Sequence, residues 1–325
     1  MGEPPIAFLL PGQGSQYHRM AAGLYGTHPE FSAAMDAVFD LLGPDGAAVR
    51  RDWLADQPQV PIDHVTRSQI LLFAVDHALA VQFSSWGLRP DALLGHSIGE
   101  LAGAVLAGIF TLPEAVRLVW DRIQRLAAAP AGGMLAVAAS TEQVAPYCSG
   151  DVVVGAVNAE RQVILAGPRA ELAEAAAALA AAGYISRPVP ASTAFHSPML
   201  AEAARGAVPG IAELAPKPPK IPLYSGYTTA PVRADQVTDP EFWACHPVAP
   251  VLFWPALQAL LADGPWQLIE VGPGWGLTAV ARRHPAVTGG RSRVLPALPA
   301  RPSGDEADRL AVQAVRTALQ PEAVR

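Results

Sequence analysis

The sequence predicts an α/β fold in which a large domain built on a parallel central sheet is interrupted by a small inserted βαββαβ unit. Three observations carry this prediction. Short apolar runs end in glycine-rich turns and give way to helical patterns, as in IAFLL–PGQGSQ and DALLG–HSIGE. From about Gly132 to Val189 the rhythm changes to four short strands separated by two helical stretches. Across 325 residues, 51% are hydrophobic and 16% charged, enough apolar side chain to fill a large core and too little charge for wholesale disorder.

Taken in order, Ile6–Leu10 reads as a buried strand closed by PGQGSQ. Helical spacing follows from about His28 to Leu42 and again from Ser68 to Trp86. DALLGHS is a strand and turn, and residues 98 to 107 form a helix of small side chains that can pack closely on a sheet. In the middle segment GGMLAVAA, DVVVGAVNA, RQVILAG and ISRPVP are strands, and TEQVAPY and RAELAEAAAALAAAG are helices. Their β-α-β-β-α-β order predicts a ferredoxin-like unit over residues 131–190, with 1–130 and 191–325 forming the large domain. PKPPKIP is a stiff surface connection, LIEVGPG a further strand and turn, and ARPSGDEADRL leads into a last helix.

Bulk properties narrow the function. A net charge of −6 argues against nucleic acid as the main partner. The two cysteines, Cys148 and Cys245, provide neither a disulfide framework nor a paired metal motif, so no metal is expected and a reducing compartment suits the chain. The start, MGEPPIAFLLPGQG, has no basic stretch before its short apolar run, and no apolar stretch reaches the ~18 residues that span a bilayer. The expectation is a cytoplasmic protein without a membrane partner.

One stretch carries chemistry directly. Gly95, Ser97 and Gly99 have the Gly-x-Ser-x-Gly spacing of a nucleophile elbow, in the strand–turn–helix context such an elbow needs. A serine there needs a base. His96 is adjacent but should point away, and spacing leaves His196, His246 and His284 as alternatives. A hydrolase with Asp239 followed by His246 or His284 as its acid and base is a rival reading.

Four motifs, LLPGQGSQ, GHSIGE, TAFHSPM and EVGPG, occur in that order. Together they closely resemble the acyltransferase domains of modular polyketide synthases and the related malonyl-CoA:acyl-carrier-protein transacylases, and the similarity spans nearly the whole chain. The resemblance implies an α/β-hydrolase-like large domain and a Ser–His dyad: Ser97 as nucleophile, His196 as general base and then acid. It implies an oxyanion hole from the N–H groups of Gln13 and Ile98, and a backbone carbonyl in the stretch APVLFW, near Leu252, that orients the histidine. Arg122 would pair with the free carboxylate of a malonyl-type substrate, with Gln69, His96, Asn158, Thr193 and Phe195 around the acyl site. Phe195 points to malonyl, whereas Thr193 stands where malonyl-selecting relatives carry histidine.

The implied reaction is ping-pong transfer, in polyketide or antibiotic biosynthesis, from an acyl-CoA, malonyl-CoA favoured, to the phosphopantetheine thiol of an acyl carrier protein. CoA or phosphopantetheine thioesters would be substrates, with no permanently bound cofactor. Arg282, Arg283, Arg291 and Arg293 offer a basic cluster for an acidic carrier. A first strand close to Met1 suggests a discrete, trans-acting member. Transfer of an aminoacyl or larger acyl group between two carriers is the alternative, and an editing acyl-hydrolase, which tends to lack the arginine, is a further rival.

Overall fold

The computed structural model describes residues 4–320, so residues 1–3 and 321–325 of the expected large domain lie outside it. Two sheets organise the chain. The larger consists of β1 (Ile6–Leu10), β2 (Ala92–Gly95), β7 (Leu223–Tyr224), β8 (Gln267–Glu270) and β9 (Arg293–Pro296), in the order β7-β2-β1-β8-β9. Every neighbouring pair in it is parallel. The smaller consists of β3 (Gly133–Val137), β4 (Val153–Ala159), β5 (Gln162–Gly167) and β6 (Ser186–Val189). It is antiparallel with order β4-β5-β3-β6, the arrangement of a ferredoxin-like unit.

The central strands are buried on both faces, which is why they read as continuous apolar runs rather than alternating ones. Side chains nevertheless alternate between two cores. Phe8, Leu10, Leu93 and Ile269 join the cluster built on the long helix Val65–Ser85. Ala7, Leu9, Leu94 and Leu268 join a second cluster with the helix Phe253–Ala262. The long helix is apolar nearly all round, as befits an element packed on several sides. The earlier helix Pro29–Leu41 packs on it.

The small sheet also uses both faces. Leu135, Val137, Val163 and Leu165 meet Leu172 and Leu179 of the alanine-rich helix Arg169–Ala181. Met134, Ala136, Ala156 and Ile164 turn the other way and pack against the second cluster of the large domain. Backbone hydrogen bonds reinforce this seam: Val157 N–H donates to the Val251 carbonyl (2.8 Å) and Val251 N–H to the Gly155 carbonyl (2.9 Å). The apolar seam places the C-terminal ends of β1, β2 and β8 beneath the small sheet, the usual site for ligands in open α/β sheets. Among the described residues no helix is long and apolar enough to cross a membrane.

Candidate active site

Ser97 follows β2 and caps the helix Ile98–Leu106 with φ 53° and ψ −117°. A non-glycine residue in that left-handed region is strained, and strain of this kind collects at functional sites. The flanking glycines are forced by close approach. A Cβ on Gly95 would strike the Glu100 backbone, and one on Gly99 the carbonyls of Leu10 and Pro11. The Ser97 side chain does not cap its own helix; it pairs instead with His196.

Ser97 Oγ lies 2.8 Å from His196 Nε2. His196 Nδ1 faces two carbonyl oxygens, His246 at 2.9 Å and Ala249 at 3.0 Å. Because carbonyls only accept, Nδ1 carries the proton and Nε2 is left to accept from Ser97. His196 has φ 63°, held by its own N–H donating to the Pro247 carbonyl at 2.7 Å. Burial, then the neighbouring His96, pulls its pKa down to about 4. The ring is therefore neutral near pH 7 and able to take a proton.

Ala249 lies within the expected stretch APVLFW, but Leu252 itself is not the orienting residue, which corrects the expectation at that position. Its N–H donates to the Gly226 carbonyl at 2.6 Å and its carbonyl accepts from Ala256 N–H at 3.1 Å. It caps the helix Phe253–Ala262, so its carbonyl is committed to that helix. The effective carbonyls lie three and six residues earlier, where Pro247 and Pro250 bend the chain around the histidine. Two of the other nominated acid–base groups are spent on capping. Asp239 accepts from Glu241 N–H (2.9 Å) and His284 from Ala286 N–H (3.1 Å). His246 is buried beside Glu100, its ring nitrogens unpartnered.

A cavity of about 630 Å³ opens over the dyad between the two sheets. Its wall includes Gln13, His96, Ser97, Asn158, Phe195 and His196. His96 turns to Asn158, Nε2 to Oδ1 at 2.8 Å, joining the large domain to β4. Gln13 and Ser97 share the wall of this cavity and Ile98 follows Ser97 at the helix start; among the described residues neither the Gln13 nor the Ile98 N–H makes a backbone hydrogen bond. Gln69 does not line the cavity; its Nε2 donates to Gln13 Oε1 at 2.7 Å and so braces the turn that presents Gln13. Thr193 is buried behind the wall, while Phe195 packs among Val65, Leu126 and Leu200.

Arg122 is also absent from this wall. It is buried on the helix Leu112–Ala127, with Nη2 donating to the Trp243 carbonyl at 2.7 Å, and it borders a second cavity of about 250 Å³. Its charge still acts on His196, Tyr227, Glu100 and His246. The basic cluster disperses: Arg291 donates to the Leu261 carbonyl and Arg293 to Gln267. Arg282 covers the half-exposed Trp275 at 5.4 Å, at the cavity's edge. Two groups the sequence did not single out, Glu100 and Tyr227, sit behind the dyad; the string GHSIGE contained the first, and nothing in YSGYTT signalled the second.

The family model for the acyl transferase domain matches residues 7–305. The chain belongs to this family. Its relatives carry this acyl transferase domain within polyketide synthases. It is 34% identical over 303 residues to the spectinabilin polyketide synthase system protein NorB of Streptomyces orinoci, an alignment covering 88% of this chain and 14% of that protein. The chain thus spans about one seventh of the length of that curated relative. Its structure is similar to the acyltransferase domain from the second module of the salinomycin polyketide synthase (TM-score 0.86, 34% identity, 96% of this chain and 72% of the other). It is also similar to malonyl-CoA:acyl carrier protein transacylase from Xanthomonas oryzae pv. oryzae (TM-score 0.83, 27% identity, 97% and 99%). The four motifs and both sheets therefore belong to an acyltransferase fold, as the resemblance in sequence implied.

Proposed function

We propose that this acyltransferase carries a malonyl-type acyl group as an ester on Ser97, taken from CoA and delivered to the phosphopantetheine thiol of an acyl carrier protein. The observation that supports this most is the Ser97–His196 contact, with the imidazole fixed in the proton-accepting tautomer by two carbonyls. His196 takes the Ser97 proton as Oγ attacks the thioester carbonyl, then gives a proton to the departing thiol sulfur. The N–H groups of Gln13 and Ile98 stabilise the oxyanion of each tetrahedral intermediate. The second half-reaction reverses the roles: the carrier thiol loses its proton to His196 and attacks the ester carbonyl, and the Oγ–acyl bond breaks as His196 returns the proton to Ser97 Oγ. Burial of the histidine and the apolar seam limit the access of water, the competing acceptor.

The proposal for malonyl draws on Arg122, whose buried charge lies in range of the dyad, and on Phe195, which fills space beside it. A second reading, transfer of a larger acyl group between two carriers, is favoured by one observation: Arg122 and Gln69 stand outside the wall of a roomy cavity. Intact-protein mass spectrometry after exposure to malonyl-CoA, methylmalonyl-CoA and acyl carriers tests both. A malonyl ester on Ser97 that passes to a carrier thiol supports the first. Loading solely from an acyl carrier supports the second, and rapid loss to free acid in the presence of carrier overturns transfer altogether.

A further inference from the structure

We infer that the hydroxyl of Tyr227 is a specificity contact, donating a hydrogen bond to a polar group near the far end of a short acyl chain held on Ser97. This rests on the acyl-ester reading above and adds to it a residue that neither the motifs nor the elbow contains.

The backbone around Tyr227 is fixed from several sides. Gly226 N–H donates to Glu100 Oε2 at 3.1 Å, the Gly226 carbonyl accepts from Leu252 N–H, and Tyr227 N–H donates to Ser225 Oγ at 3.0 Å. The ring lies flat on His246, centroids 3.9 Å apart and planes 15° from parallel, and 6.3 Å from the ring of His196. His246 is the residue whose carbonyl accepts from His196 Nδ1. The tyrosine thus stands directly behind the dyad, on a rigid support.

Its hydroxyl is buried and has no hydrogen-bond partner. A buried phenol normally finds one, because an unpaired polar atom away from water is costly. Three further atoms of the same cluster are unpartnered: Glu100 Oε1 and both ring nitrogens of His246. Burial, then Glu100, pushes the Tyr227 phenol well above its ordinary range, while Arg122 and the nearby Ser97 hydroxyl act the other way. The phenol is therefore a donor at every physiological pH, on a ring 6.3 Å from that of His196, the partner of Ser97 Oγ.

Charge says what it would donate to. Burial pushes Glu100 up to about 8 and holds His246 well below the ordinary histidine value, so both are largely neutral at pH 7. Arg122 is then the charged member of the group, and a guanidinium beside a phenol and a protonated carboxyl suits one anionic acceptor. An ester on Oγ places the third carbon of its acyl chain a few bonds from that oxygen. In malonyl that third carbon is a carboxylate and fits; an acetyl chain ends one carbon earlier and leaves the donors unpaired, which is how a polar site rejects an analogue.

Tyr227→Phe keeps the ring on His246 and removes only the donor. Rates of Ser97 acylation are compared for wild type and variant with malonyl and acetyl donors, each supplied as CoA and as carrier-bound thioesters. The expected result is a fall of about tenfold or more in kcat/KM for malonyl, with acetyl changed by about twofold or less. Equal losses for both acyl groups, the mark of a merely structural role, or no loss for either, overturns the contact. A wild-type protein that acquires no ester from any donor overturns the acyl-enzyme reading itself, a result distinct from unchanged selectivity in the variant.

Discussion

Two strand–turn–helix junctions lie at the same edge of the central sheet and have opposite fates. After β8, Glu270 folds back on the following helix: its oxygens accept the N–H groups of Leu277 (3.0 Å) and Thr278 (2.8 Å). After β2, Ser97 leaves the start of its helix uncapped, with φ 53° and its hydroxyl turned to His196. The first junction satisfies its own donors and closes. The second holds strain and an Ile98 N–H without a backbone partner, the donor that the proposed mechanism aims at the oxyanion. The same local architecture is a structural joint or a reactive one according to whether its own side chain occupies the helix start.

The largest effect should come from breaking the reactive junction. Ser97→Ala removes the atom proposed to form the ester, and intact-mass measurement should detect no acyl adduct. His196→Ala should slow acyl transfer by about 10³-fold or more, because neither the base nor its neutral tautomer is replaced. Gly99→Ala comes next. Its Cβ would press on the carbonyls of Leu10 and Pro11, so the turn must shift; loading should fall by about 10²-fold, with a lower melting temperature. A Gly99→Ala variant that loads at the wild-type rate would show that the elbow tolerates a looser fit.

A smaller effect sharpens the contrast in the proton-accepting group. With the folded His196 near 4 rather than its ordinary 6.5, the acid limb of kcat/KM should lie well below pH 6. The same shift has a stability consequence. The neutral form is favoured in the folded protein, so the contribution is present above about pH 6.5 and is lost as pH falls toward 4. An acid limb centred near 6.5 would mean the ring is more hydrated at work than in this structure.

Much of this was legible in the sequence because it is local. Strand–turn–helix patterns located the elbow, and the change of rhythm between Gly132 and Val189 located the small sheet. Motif order named His196 where spacing had left three histidines open. What the sequence did not reveal depends on how distant segments meet. The orienting carbonyls belong to His246 and Ala249 rather than Leu252, because a proline-bounded turn wraps the histidine while Leu252 starts a helix. Arg122 carries its charge toward the dyad from behind the wall, a matter of helix rotation that no spacing encodes. Tyr227 becomes conspicuous only once β7 brings it behind Ser97, since its unpartnered hydroxyl is a property of the fold.

The smallest predicted effect concerns the closed junction. Asp76, fully buried on the long helix with both carboxyl oxygens unpartnered, is pushed well above the carboxylate range by burial and by Glu270. Burial raises Glu270 to about 7, against the lowering influence of Thr278 and Leu277. A carboxyl whose pKa rises on folding favours the neutral form, so its contribution to stability is full below about pH 4 and is lost as pH rises through 7. The protein should therefore lose stability between about pH 5 and 8 while its reactive junction remains competent. Asp76→Asn removes one of the two titrating carboxyls and keeps the shape. It should flatten the dependence of melting temperature on pH over that range and raise it by a few degrees at pH 8. Because Glu270 still caps its helix in this variant, acyl loading on Ser97 should be unchanged. A melting curve as steep in pH as the wild type would show that the fold does not hold the Asp76 carboxyl protonated, whereas altered loading would mean that the two junctions are coupled.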